Sequence, residues 1–267
     1  MSSSKADEPL HGEWNIGGFR TRWMQWGSGR PDLVGIHGFA ASPRTWHRIA
    51  PMVIGKGKSL LSVGLPYHNG EDPLTQPDLD LMHYTEALTA TFRAMGVQHV
   101  PVMAHSFGCR ILIAAAVHDP DLFPKLIMTA PGGFQPKEDW LFSVFRRQPF
   151  LFFLRREQLM KRGLLRLAPD IREEKLLLMG KVFEKLSLSY PGISPRAAGL
   201  LPLLKLYPGQ TSLIMGSDDP MVPASYAPRI AAYFNNAATY TVSGGGHVPM
   251  LREPEAYFHI LEQILGW

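Results

Sequence analysis

The chain has 267 residues, 45% of them hydrophobic and 19% charged, enough to bury a sizeable core and too apolar for wholesale disorder. The net charge is +4, and Cys109 is the single cysteine, which excludes an internal disulfide and a four-cysteine zinc site. No run approaches the roughly 18 consecutive apolar residues that a membrane span needs, and Met1–Pro9 lacks the apolar core of a secretory signal, so a cytoplasmic, single-chain globular protein is expected.

In chain order, residues Arg20–Trp26 suggest an antiparallel hairpin at a sheet edge. Short apolar runs rich in β-branched residues then recur at Leu33–Ile36, Leu60–Val63, Val100–Met103, Leu126–Met128, Leu213–Met215 and Tyr240–Val242. Uninterrupted apolar character is what strands covered on both faces show. Helical patterns separate them at Thr85–Met95, Gly108–Val117, Ala224–Phe234 and Glu253–Leu265. This alternation predicts an α/β fold with a mostly parallel, doubly wound sheet.

From Phe134 to Gly209 the alternation breaks, with no convincing strand. The expected organisation is therefore a core of residues 1–133 and 210–267 with a helical cap, 134–209, inserted over the carboxyl edge of the sheet, where open α/β sheets bind ligands. Aromatic residues crowd the first part of this segment, and Glu173–Lys185 reads as an amphipathic helix. Charge is concentrated there too. Between Trp140 and Leu167, Arg146, Arg147, Arg155, Arg156, Lys161, Arg162 and Arg166 stand against Glu157 alone, so the pI near 9.2 reflects one segment, and nucleic acid has little else to bind.

The strongest chemical signal is Ala104-His105-Ser106-Phe107-Gly108, after one predicted strand and before an apolar helix. A strand turning sharply into a helix around a serine exposes Oγ at the top of the sheet, and the turn needs small residues two before and two after it. Ala104 stands where Gly is common. Three further strand ends carry matching groups. His37-Gly38-Phe39 follows Leu33–Ile36, and the backbone N–H of Phe39 with that of Phe107 would form an oxyanion hole. Gly216-Ser217-Asp218-Asp219-Pro220 offers an acid after Leu213–Met215, and Gly246-His247-Val248-Pro249-Met250 supplies an imidazole after Tyr240–Val242.

With serine, acid and histidine each at the end of its own strand and in that order, the chain resembles the α/β-hydrolase superfamily from about Arg20 to Leu265. The run Gly246 to Glu255 is similar to that family's histidine loop and last helix. The resemblance implies Ser106 as nucleophile, His247 as general base and Asp219 as the acid orienting the imidazole, with Asp218 as the alternative acid. Gly64-Leu65-Pro66-Tyr67-His68-Asn69-Gly70 departs from the Asp-Leu-Pro-Gly-His-Gly string of many relatives and leaves the loop shape near the pocket open. A serine at the elbow speaks against epoxide hydrolases and haloalkane dehalogenases, whose chemistry needs a carboxylate there.

The remaining polar residues read as structural. His105 is expected to point away from Ser106 Oγ, His37 to order its loop, and the other histidines lack ligand spacing, so neither a metal nor a cofactor is expected. The expected reaction is cleavage of a carboxylic ester or thioester with an apolar acyl part. The rivals are a C–C bond hydrolase or lyase using the same residues, and a non-catalytic ligand-binding protein on this fold. In a continuous helix, Arg155, Arg162 and Arg166 share one face. That face would dock an acidic acyl carrier protein or an anionic membrane surface, or simply face water. Esterases acting on carrier-bound methyl esters resemble it in charge pattern.

Overall fold

A computed structural model describes residues 8–16, 19–39, 41–65, 81–132, 134 and 201–267. Eight strands form one sheet: β1 (Leu10–Ile16), β2 (Phe19–Trp26), β3 (Leu33–Ile36), β4 (Leu60–Val63), β5 (Val102–His105), β6 (Lys125–Thr129), β7 (Gln210–Gly216) and β8 (Ala237–Val242), in the spatial order β1-β2-β4-β3-β5-β6-β7-β8. The first two pairings, β1 with β2 and β2 with β4, are antiparallel, and every later one is parallel. The described helices are α1 (Ala50–Gly55), α2 (Leu81–Ala94), α3 (Phe107–His118), α4 (Ala227–Ala231), α5 (Pro249–Arg252) and α6 (Pro254–Leu265). None of them is long and apolar enough to cross a membrane.

The central strands are buried throughout, and their alternate residues feed two separate apolar layers. Val34, Ile36, Leu61, Val102, Ala104, Leu126 and Met128 face the layer packed with α2 and α3. Leu33, Leu60, Met103, Ile127 and Ile214 face the opposite layer, with Trp46 and the α6 residues Tyr257, Phe258 and Leu261. Tyr257 also reaches into the sheet, where its hydroxyl lies 2.7 Å from Thr129 Oγ1.

Several boundaries differ from the sequence reading. The strand expected at Val100–Met103 runs over Val102–His105 instead; Pro101, without an N–H, cannot join the ladder as a donor. The helix expected at Ala224–Phe234 is a 3₁₀ turn, Ala224–Tyr226, followed by the short α4, with Pro228 at the start of α4. The hairpin partner of β2 is β1, which forms the sheet edge. Its exposed and half-buried residues give no apolar run to read. Strand β6 pairs with β7 although residues 130–209 intervene. Of the expected cap, only Phe134 and residues 201–209 are described, the latter including a 3₁₀ helix at Leu201–Leu206.

The order β4-β3-β5 places β3 at the point where successive strands depart in opposite directions across the sheet. Crevices open at the carboxyl ends of strands at such points. There β3 delivers His37–Phe39 and β5 delivers Ser106.

Candidate active site

Ser106 lies between β5 and α3 with φ 48° and ψ −112°, a left-handed conformation rarely adopted by a residue with a side chain. The turn is held from below. The Ser106 N–H donates to Thr129 O at 2.9 Å, and Ser106 O accepts from Cys109 N at 3.1 Å and Gly132 N at 3.3 Å. Backbone strain of this kind persists only where the surroundings over-determine it. Cys109 contributes inertly: it is buried, its thiol donates to Ala104 O at 3.2 Å, and burial pushes its ionisation far upward.

Two glycines seat the β3 loop on this elbow. A Cβ on Gly108 would stand 2.4 Å from His37 O, and one on Gly38 would stand 2.6 Å from His105 Nδ1. The sequence reading assigns Gly108 to a tight turn; the structure adds that the neighbouring loop needs its bare Cα. The same approach brings Phe39 beside Phe107, their rings edge-to-face at 5.9 Å, with Tyr84 meeting Phe107 in the same manner. His37 orders this loop, as expected: its Nε2 accepts from Leu65 N at 2.9 Å, so Nδ1 carries the hydrogen and donates to Gly38 O at 2.7 Å.

Ser106, His247 and Asp219 meet in space. His247 Nε2 lies 3.1 Å from Ser106 Oγ, and His247 Nδ1 lies 2.8 Å from Asp219 Oδ2. Since an ionised carboxylate only accepts, the Nδ1 hydrogen points at Asp219 and Nε2 is left to accept from the serine hydroxyl. Asp219 has a fully buried side chain, and its other oxygen accepts from Met221 N at 2.7 Å and Val222 N at 3.0 Å. These donors hold the carboxylate independently of its contact with the imidazole. The arrangement can move a proton from a hydroxyl to an imidazole and hold the resulting charge.

Asp218 does other work. Its Oδ1 accepts from Gly246 N at 2.7 Å and its Oδ2 meets Arg252 Nη1 at 3.1 Å, contacts that hold its carboxyl below the usual range. With Ser217 Oγ accepting from Gly244 N at 3.0 Å, it ties the loop after β7 to the loop bearing His247. Gly216 lets the two come together, since a Cβ there would stand 2.0 Å from Gly246 O. Sequence reasoning missed this bracing by Ser217, Asp218 and Arg252. The Gly244-Gly245-Gly246 run was its only trace, because the partners are distant in sequence.

Among the described residues, no group of His, Cys, Asp or Glu is arranged to hold a metal ion. Arg155, Arg162, Arg166 and the helix expected at Glu173–Lys185 lie outside the described residues.

Known proteins share this architecture. The chain is 25% identical over 261 residues to the strigolactone esterase D14 of Arabidopsis thaliana, covering 90% of this chain and 94% of that protein. It is 23% identical over 300 aligned positions to a 2-hydroxymuconate semialdehyde hydrolase of Pseudomonas putida, covering 100% of this chain and 98% of the relative. Among solved structures, a bacterial membrane phospholipase A superposes with a TM-score of 0.75 at 20% identity, over 98% of this chain and 87% of its own, a likeness of fold alone. The model of the alpha/beta hydrolase family matches residues 33–260, a span that takes in the elbow, both loops and every parallel strand. The chain belongs to the alpha/beta hydrolase family.

Proposed function

We propose that this hydrolase cleaves a carboxylic ester or thioester with an apolar acyl part, using Ser106 as nucleophile. The observation that carries the reading is the continuous relay from Ser106 Oγ through the His247 imidazole to the buried Asp219 carboxylate. A neutral serine hydroxyl is a weak nucleophile, so His247 takes its proton as Oγ attacks the carbonyl carbon. Asp219 keeps the imidazole in the competent tautomer and stabilises the imidazolium. The backbone N–H groups of Phe39 and Phe107 meet the oxyanion; losing one such donor typically costs about 10²–10³ in rate. His247 then returns its proton to the departing alcohol or thiol, and water activated by the same imidazole clears the acyl-enzyme. The aromatic rings of Phe39, Phe107 and Tyr84 beside the elbow favour an apolar acyl group.

The test is labelling of the purified protein by a fluorophosphonate probe. Labelling abolished by Ser106→Ala is the expected result, and absent labelling, or labelling that survives the substitution, refutes the reading. A second reading, hydrolysis of a C–C bond in a diketone with the same residues, is favoured by the end-to-end similarity to the semialdehyde hydrolase. A panel of nitrophenyl esters of graded chain length set against a diketone separates the two. Docking of an acyl carrier protein or an anionic membrane through Arg155, Arg162 and Arg166 belongs to the same proposal. If Arg155→Glu or Arg162→Glu leaves turnover of a carrier-bound ester unchanged at low salt, docking through that face is wrong.

A further inference from the structure

His105, the last residue of β5, points into the layer occupied by Met103 and α6, on the side of the sheet opposite the Ala104 side chain. It is 5% exposed. A position that needed only filling would suit another apolar residue, as Met103 does two positions earlier on the same face. A polar ring there must find a partner to be tolerated. The partner is the main chain of the histidine loop: His105 Nε2 lies 2.8 Å from His247 O. A carbonyl can only accept, so Nε2 bears the hydrogen and Nδ1 is a bare lone pair. That lone pair has no hydrogen-bond partner among the described residues and abuts the Cα of Gly38. Protonating it would put a charge in an apolar layer beside His247, whose ring is 4.9 Å away. Burial and that neighbouring imidazole push His105 down to about 3, so the ring stays neutral.

Two adjacent residues of the elbow therefore grip the two ends of one residue in the distant loop. Ser106 meets the imidazole of His247, and His105 meets its carbonyl. We propose that His105 is a positioning residue that fixes the height of the His247 main chain above the sheet, so that its imidazole reaches Ser106 Oγ. The role rests on the assignment of Ser106 and His247 as nucleophile and base. The bracing from Ser217 and Asp218 holds the glycine run before His247, whereas His105 holds His247 itself.

The experiment compares His105→Leu and His105→Met, which remove the donor, with His105→Gln, whose amide nitrogen stands near the position of Nε2. Three quantities are read on the full chain: the fluorophosphonate labelling rate, thermal stability, and amide hydrogen exchange at Gly245 and Gly246. Misplacing a reacting group by about 1 Å costs on the order of 10² in rate, so the folded apolar variants are expected to label about 10- to 100-fold more slowly and to exchange faster at both glycines. Glutamine should restore both to within about threefold of wild type on the same scale, even where its melting temperature falls as far. Apolar variants that label and exchange like wild type overturn the proposal, as does a glutamine variant as impaired as leucine. If wild type itself does not label, the hydrolytic assignment fails separately, and exchange at Gly245 and Gly246 still decides whether His105 holds the loop.

Discussion

Replacing Asp219 by asparagine tests the site at its least exposed point. Oδ1 of Asp219 accepts two backbone hydrogen bonds, from Met221 and Val222, while Oδ2 faces His247 Nδ1. An asparagine must keep its carbonyl oxygen toward the two N–H donors, which turns its NH₂ toward the imidazole. Nδ1 then becomes the acceptor, the ring hydrogen moves to Nε2, and the atom facing Ser106 can no longer take a proton. In a serine–histidine–aspartate system, the wrong tautomer lowers kcat by about 10⁴, equivalent to about 5 kcal/mol of transition-state stabilisation at 1.36 kcal/mol per tenfold. The fold should survive, because both backbone hydrogen bonds are kept. The assay is the acylation burst with a nitrophenyl ester beside Asp218→Asn. The Asp218 side chain is 46% exposed, and its amide oxygen still accepts from Gly246, so only the ion pair with Arg252 is lost. An exposed, solvent-screened pair of this kind contributes little, which keeps Asp218→Asn within a few-fold of wild type. An Asp219→Asn rate within tenfold of wild type, or an Asp218→Asn loss of similar size, would refute the reasoning.

Gly216→Ala sets a methyl 2.0 Å from Gly246 O, backbone against backbone, so the two loops must part; a shift of about 1 Å should slow the burst about 10²-fold, with circular dichroism unchanged. Tyr257→Phe strands Thr129 Oγ1 in the core and should cost about 1–3 kcal/mol in urea unfolding, with the labelling rate per folded molecule unaffected. The pH dependence of stability carries the signature of His105. Its folded value is pushed from 6.5 to about 3, so below pH 6.5 the unfolded chain takes up a proton that the folded chain refuses. Stability from this group is complete above pH 6.5 and declines by about 1.4 kcal/mol per pH unit on the way down to about 3. The melting temperature of His105→Gln should fall less steeply with acid over that window, and parallel curves would contradict it.

The sheet was legible wherever burial on both faces left an unbroken apolar run. Leu33–Ile36 and Leu60–Val63 match β3 and β4 residue for residue. Edge strand β1 was not legible, because an edge need not be apolar and its residues lie exposed or half-buried. Strand β5 was displaced by two residues because His105 reads as polar loop, yet its polarity serves a contact with residue 247 that no local pattern encodes. Ser106, Asp219 and His247 were readable because each stands at the end of its own strand, a local property. Their bracing was not, since it depends on how close Gly216 comes to Gly246.

The register of β6 on β7 runs from Lys125–Gln210 to Thr129–Ile214, and none of its pairs draws on residues 135–200. The scaffold beneath the elbow is thus closed by chain on either side of that excursion. A chimera that exchanges residues 135–200 for a homologue's should accordingly keep the contacts from Ser106 through His247 to Asp219.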